Sequence, residues 1–395
     1  MKRSRSVILA TIAALAAGVA AVDIAGSASA AVACAPAWSA TAIYVGGNVA
    51  SQNSHNYSAK WWTQNESPAT HSGQWDVWAD QGACGGTTPP TTPPTTGPTT
   101  PPTSGTKMAS APYIYPGWGN PPAPSTVMNA TGIKAFTIAF VLANGCNPVW
   151  DGESGITGGV HASTINAIKA AGGSVVPSFG GWSGNKLGPN CSTSALLAGA
   201  YQKVIDAFAL KAIDIDIENT DEFENATVQD RILGALKIIK QNNPTVTTIL
   251  TFGTTTSGPS STGVRLITQA KALGANVDVF TQMPFDFGGG ANMYTSTVNA
   301  SEGLKNQLKS TFGYTDSQAY SHMGISGMNG LSDQQELTST ATWTQIRDYA
   351  KSNGFARFTF WAVNRDRGCA GGGVVSNCSG IAQADWAFTQ ISAGF

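Results

Sequence analysis

The chain is 395 residues long, carries a formal net charge of −1 and has only 11% charged side chains. So slight a charge offers no electrostatic footprint for a nucleic acid or an anionic membrane surface. Four scattered histidines, His55, His71, His161 and His322, lack metal-ligand spacing, so no metal or other cofactor is expected.

Residues 1–30 read as a secretory signal peptide. Lys2, Arg3 and Arg5 precede an apolar, Ala-rich stretch from Val7 to Val22, and Ala28-Ser29-Ala30 is an A-x-A cleavage pattern. The stretch is short and closed by Asp23, which argues against a membrane anchor. A secreted, extracellular chain sits in an oxidising compartment, where six cysteines without a CxxC pair favour disulfides over zinc. Cys34 and Cys84 bracket one segment, Cys369 and Cys378 are close neighbours, and Cys146 and Cys191 remain. Spacing leaves the connectivity open.

Residues 31–86 are dense in aromatics: Trp38, Tyr44, Tyr57, Trp61, Trp62, Trp75 and Trp78. A unit of fewer than about 60 residues buries little core and needs a staple. Each of these rings serves equally well as core or as ligand contact. The run Ala59-Lys-Trp-Trp-Thr-Gln64, with Tyr44-Val-Gly-Gly and Tyr57 before it and Trp75-x-x-Trp78 after it, resembles the small all-β carbohydrate-binding modules of families 5 and 12. The resemblance implies chitin binding by rings laid flat on sugar faces, with Tyr44 and one of Trp61 or Trp62 as candidates, because adjacent strand residues face opposite ways. Residues 87–106, rich in Pro and Thr, form a linker that would hold two domains up to roughly 60–70 Å apart. The small module would then tether an enzyme to an insoluble substrate.

From 107 to 395, eight apolar strand-like runs recur, most with helical patterns between them: Tyr113–Tyr115, Ala135–Leu142, Ser174–Phe179, Ala212–Glu218, Thr247–Phe252, Val277–Phe285, His322–Ile325 and Arg357–Trp361. Their number and spacing predict an α/β domain, a (β/α)8 TIM barrel, with a doubly wound open sheet as the alternative. The fourth run, Ile213-Asp-Ile-Asp-Ile-Glu218, alternates isoleucines with acids, so Asp214, Asp216 and Glu218 share one face. Helical patterns flank it: Leu196, Leu197, Tyr201, Val204, Ile205 and Phe208 before, and Val228, Ile232, Leu233, Leu236 and Ile239 after. A parallel strand covered by helices has no wet face, so the acids point inward. There, desolvation and like charge raise at least one pKa and leave a general acid near neutrality.

Lys211-Ala-Ile-Asp-Ile-Asp-Ile-Glu218 resembles the DxxDxDxE signature of glycoside hydrolase family 18, with Lys211 at the first acidic position. The resemblance implies Glu218 as proton donor, Asp216 as the partner that orients the substrate's acetamido group, and Asp214 as supporting acid. Ser178-Phe-Gly-Gly181 is similar to the family's SxGG motif, marking Ser178 and Gly180. Met283-Pro-Phe-Asp286 resembles MxYD, with Phe285 where relatives carry a tyrosine, so the resemblance marks Met283, Phe285 and Asp286 and leaves Tyr115 as a substitute hydroxyl. Trp361 falls where the family places the floor of the sugar-binding subsite. Only 26 residues separate Gly330 from Arg357, too few for the α+β insertion that walls the cleft in some members. An open groove suits internal cleavage.

These readings converge on a secreted, monomeric endochitinase acting on chitin and chitooligosaccharides by substrate-assisted, retaining hydrolysis. An endo-β-N-acetylglucosaminidase on glycans, a chitin-binding lectin and a lysozyme-like side activity are the rivals.

Overall fold

The computed structural model describes residues 32–44, 46–61, 63–73, 76–85, 105, 107–369 and 373–395. The signal-peptide reading and all of the linker but Gly105 lie outside them. No described helix is long and apolar enough to cross a membrane. Contacts divide the chain into two compact units.

The smaller unit holds a three-stranded antiparallel sheet, Val49–Gln52, His55–Ala59 and Trp78–Ala83. Asn53 and Ser54 turn the first hairpin with positive φ of 50° and 60°, the two-residue connection that matches strand twist. Trp78 is fully buried and its indole N–H donates to the Glu66 carbonyl at 2.9 Å. This ring, with Tyr57, is core. Cys34 and Cys84 are joined, closing a 50-residue separation across the unit.

In the larger unit eight parallel strands alternate with helices. The strands are β1 (Tyr113–Ile114), β2 (Ala135–Asn144), β3 (Ser174–Gly180), β4 (Ala212–Ile217), β5 (Thr247–Gly253), β6 (Val279–Met283), β7 (Met323–Met328) and β8 (Arg357–Trp361). After them in turn come α1 (Pro124–Thr131), α2 (Gly159–Ala170), α3 (Ser194–Phe208), α4 (Ala226–Asn242), α5 (Ser261–Leu273), α6 (Met293–Phe312), α7 (Thr340–Ser352) and α8 (Ala387–Ser392). The strands pair in strict chain order, β1 to β2 through to β7 to β8. A doubly wound sheet would reverse that order, so the alternative is excluded. Between β8 and the segment entering β1, the Met108 N–H donates to the Ala356 carbonyl, Ser110 Oγ to the Phe358 carbonyl and Thr359 Oγ1 to the Ala111 carbonyl.

The helices begin where the sequence offers caps. Thr193, Asn225, Ser260, Asn292 and Ser339 each accept a hydrogen bond from a first-turn N–H. The outward strand face, including Ile213, Ile215 and Ile217, packs on the inward helix faces in one large core. Leu196 departs from its predicted role: it is 53% exposed on the outer side of α3.

Side chains of the other parity line the interior in successive levels. Ala135, Val176, Ala212, Ile249 and Val279 form a small apolar cluster. Two residues further along their strands stand Thr137, Ser178, Asp214, Thr251 and Thr281, all fully buried. One further step on β4 is Asp216, and one more is Glu218. The chain thus climbs from an apolar base through a polar layer to its acids.

Candidate active site

Asp214 is the best-anchored of the three acids. Tyr113 Oη, Ser178 Oγ and Thr251 Oγ1 donate to it at 2.5, 2.8 and 2.6 Å, and Arg357 Nη1 lies 3.1 Å from its Oδ1. The Arg357 guanidinium also donates to the hydroxyls of Thr251, Thr281 and Thr137. A charge sealed in the interior is sustained only by such pairing and hydrogen bonding. Asp214 is therefore walled in by protein and supports the site from beneath.

Asp216 is buried and its Oδ1 has no hydrogen-bond partner. Burial, then the charges of Glu218 and Asp214, push its carboxyl well above the ordinary range, while Arg357 and Lys186 oppose the rise. Glu218 follows directly on β4 in extended conformation, one residue past the strand end. Burial lifts it to about 7; the Lys186 ammonium opposes that, and Asp286 and Asp333 add to it. Glu218 is thereby held in the range where a proton is exchanged near neutrality, beside an Asp216 whose carboxyl is also raised.

The register between β3 and β4 sets Ser178 beside Asp214 and Gly180 beside Asp216. At Gly180, with φ of 104°, a Cβ would stand 2.2 Å from the Asp216 carbonyl oxygen. Only glycine fits there. Ser178 and Gly180 are both buried and build the ledge that carries the acids.

Tyr113, two residues before Tyr115, carries a phenol that reaches Asp214. The Tyr115 hydroxyl is instead engaged with Asp151, and its phenol is raised far above the usual value by burial and by that bond. Its ring still helps to wall the site, lying 5.9 Å from Phe140, 5.9 Å from Trp118 and 6.1 Å from Trp361.

Trp361 closes β8 half-buried, stacked on Phe140 at 5.6 Å and 12° and 5.9 Å from Tyr113. It stands beside the ring whose hydroxyl donates to Asp214. At the end of β6, Met283 is buried, Phe285 is half-buried and Asp286 is exposed. Glu336 Oε1 accepts from the Asp286 and Phe287 N–H groups and so holds this loop. Partial burial, Asp333 and Glu336 raise the Asp286 carboxyl, and its charge is felt at Glu218.

Lys211 is exposed at the foot of β4, so no interior acid is missing from the ledge itself. Between β7 and β8 the described chain holds a hairpin, Gly330–Leu331 with Leu337–Thr338, and then α7. Asn364 and Arg365 are buried braces: Asn364 holds the backbone of Tyr115 and Trp118, and Arg365 that of Leu331 and Val375. The remaining cystines are Cys146–Cys191 and Cys369–Cys378.

Several residues had no place in the sequence reading. Arg357 was marked by a charge opening an otherwise apolar run. Trp182, 67% exposed, follows the Gly180-Gly181 turn directly, and its carbonyl accepts from Asn219. Lys186 and Glu222 are buried through loop packing, which leaves no periodic signal. Of the aromatic candidates in residues 31–86, Trp61 is 43% exposed, Tyr44 is half-buried, and Trp62 lies outside the described residues.

No protein-family model matches the chain. Over 278 residues it is 26% identical to a probable bifunctional chitinase/lysozyme of Escherichia coli (strain K12), covering 66% of this chain and 31% of that protein. Over 249 residues it is 25% identical to endochitinase 11 of Metarhizium anisopliae, covering 59% of this chain and 48% of that one. It thus spans less than half the length of either curated relative. The catalytic domain of a hyperthermophilic chitinase from Pyrococcus furiosus superposes with a TM-score of 0.67 at 25% identity, over 74% of this chain and 97% of that one. The larger unit therefore has an α/β fold like that of chitinase catalytic domains, and these likenesses support the resemblance to glycoside hydrolase family 18.

Proposed function

We propose that the protein is a secreted glycoside hydrolase, an endochitinase that cuts internal β-1,4 bonds between N-acetylglucosamine units. The observation that carries this reading is Glu218, lifted to about 7, one step along the chain face from a buried Asp216 with an unpartnered oxygen. A carboxyl that titrates near neutrality releases and recaptures a proton at working pH, which is worth typically about 10²–10⁴-fold in rate.

The substrate-assisted route of family 18 needs no protein nucleophile. The 2-acetamido oxygen of the bound sugar attacks its own anomeric carbon, the glycosidic C–O bond breaks, and the Glu218 proton passes to the leaving oxygen. Asp216 accepts the acetamido N–H on its free oxygen and holds the nucleophile in line. The Glu218 carboxylate then takes a proton from water as that water opens the oxazolinium-like intermediate. The two displacements together retain configuration. Asp214, fixed by Tyr113, Ser178, Thr251 and Arg357, keeps the ledge rigid.

In this reading the eight strands close as a (β/α)8 barrel, consistent with the hydrogen bonds between β8 and the segment entering β1. The hairpin after β7 supports an open groove and hence internal cleavage. Trp61 supports a chitin-binding role for the aromatic-rich unit. Incubation of the full chain with N-acetylglucosamine hexamer, following products and anomers at early times, tests the proposal. Internal cuts giving the β-anomer are expected. Intact hexamer with retained chitin binding would make the protein a lectin, and cleavage of glycoprotein glycans alone would make it the glycan enzyme.

A further inference from the structure

Lys186 is only 1% exposed, yet it carries an ammonium. Its Nζ donates to the main-chain carbonyl of Glu218 at 3.2 Å and to Asp221 Oδ1 at 3.1 Å. One acceptor immediately precedes and the other lies within the turn Asn219–Phe223, which is wound with π-type hydrogen bonds immediately after the acid. The lysine reaches this position from the loop after β3, and that loop is clipped twice. The Ala143 N–H donates to the Asn185 carbonyl while Asn185 Nδ2 donates to the Ala143 carbonyl, and five residues beyond Lys186 the chain is bonded through Cys191 to Cys146. Glu222, also buried, lies in the same turn with its Oε2 unpartnered.

We infer that Lys186 is a positioning residue for the acid: it pins the turn that presents Glu218 and sets a buried positive charge beside it. The inference rests on Glu218 being the proton donor. The groups that face Glu218 are Lys186 from the β3 loop, Asp216 on its own strand, Glu222 in the turn after it, Asp286 after β6 and Asp333 after β7. Lys186 is the cation of that set, and it lowers the pKa of Glu218, Glu222 and Asp216 alike. An ammonium costs several kcal/mol to bury, whereas a methionine of similar length would not. A purely structural filler would have no use for the charge.

The test is kcat/KM against pH on a soluble N-acetylglucosamine oligomer for the full chain, K186M, K186R, D221N and E218Q. For K186M the alkaline limb should move up by about one pH unit, since a unit charge buried beside a carboxyl is worth at least that much. K186R should hold the limb at the wild-type position. Removing the half-exposed Asp221 frees the ammonium to act on Glu218, so D221N should move the limb down, and this variant carries the test if K186M does not fold. A K186M limb at the wild-type pH, a K186R limb displaced as far as that of K186M, or an upward shift in D221N would each overturn the inference. A wild-type chain without hydrolysis, or an active E218Q, would overturn the underlying assignment of the acid instead.

Discussion

Arg357 of β8 and Asp214 of β4 form an ion pair inside the sheet interior, Nη1 to Oδ1 at 3.1 Å, with neither side chain reached by solvent. The pair links β4 to β8, four strands apart in the pairing order, at the level just beneath Asp216 and Glu218. It also decides how three acids can share one strand face. Asp214 is compensated by a guanidinium and three hydroxyls, and Asp216 and Glu218 are left to carry protons.

Breaking the pair from one side leaves a buried charge without its partner. R357M should therefore lower the stability of the larger unit by about 3–5 kcal/mol, read from urea unfolding. The double variant R357M/D214N should recover part of that loss, because it removes both charges. A wild-type unfolding midpoint for R357M would mean that the hydroxyls alone sustain Asp214.

Burial takes Glu218 from an ordinary 4.5 to about 7. The folded state therefore holds a proton that the unfolded chain releases. This group's contribution to stability is complete below about pH 4.5 and is lost as pH rises through about 7. E218Q removes this titration and, on the proposed mechanism, hydrolysis with it. The variant should hydrolyse nothing at any pH, melt close to wild type at pH 5 and melt above it at pH 8. Wild-type kcat/KM should fall on the alkaline side with a midpoint near 7. A difference in melting temperature that is the same at both pH values would assign the titration to another group.

The eight strands and most of their helices were legible because period-2 and period-3.6 patterns report burial, and burial is what orders them. The face shared by Asp214, Asp216 and Glu218 followed from alternation alone. What alternation cannot report is reach across the interior. Tyr113 and Arg357 sit on correctly placed strands, but their meeting at Asp214 depends on the register of strands 100 and more residues apart. Lys186 and Glu222 were illegible for a different reason: both are buried by a clipped loop and a π-type turn, neither of which has a sequence period. Leu196 shows the opposite error, an apolar residue on the helical beat that the core does not use.

Trp361 presents one face to Phe140, and Tyr113 and Tyr115 lie within about 6 Å of it, so its indole is held without help from substrate. A prearranged ring of this kind supplies flat apolar contact to a sugar at little entropic cost. W361A should lower kcat/KM on short oligomers by roughly 10–100-fold, equivalent to about 1.4–2.7 kcal/mol of transition-state binding. W361F, which keeps a ring, should lose less. Equal losses in both variants would point to a packing role alone.

The cystine Cys34–Cys84 closes a separation of 50 residues, whereas Cys369–Cys378 closes only 9. In the chain-entropy picture the first contributes about 4 kcal/mol and the second nearer 2.5 kcal/mol. The difference matters because of what each is attached to. The larger unit has a continuous core and should survive loss of its short loop. The smaller one offers, among its described residues, a three-stranded sheet and a small core to offset its ordering cost. C34S/C84S should therefore unfold that unit at moderate temperature while leaving the helical signal of the larger one intact. If the aromatic-rich unit is the tether, this variant should pass unretained through a chitin column yet cleave soluble oligomers at the wild-type rate. Retention on chitin after loss of the cystine would move the binding function to the cleft of the larger unit.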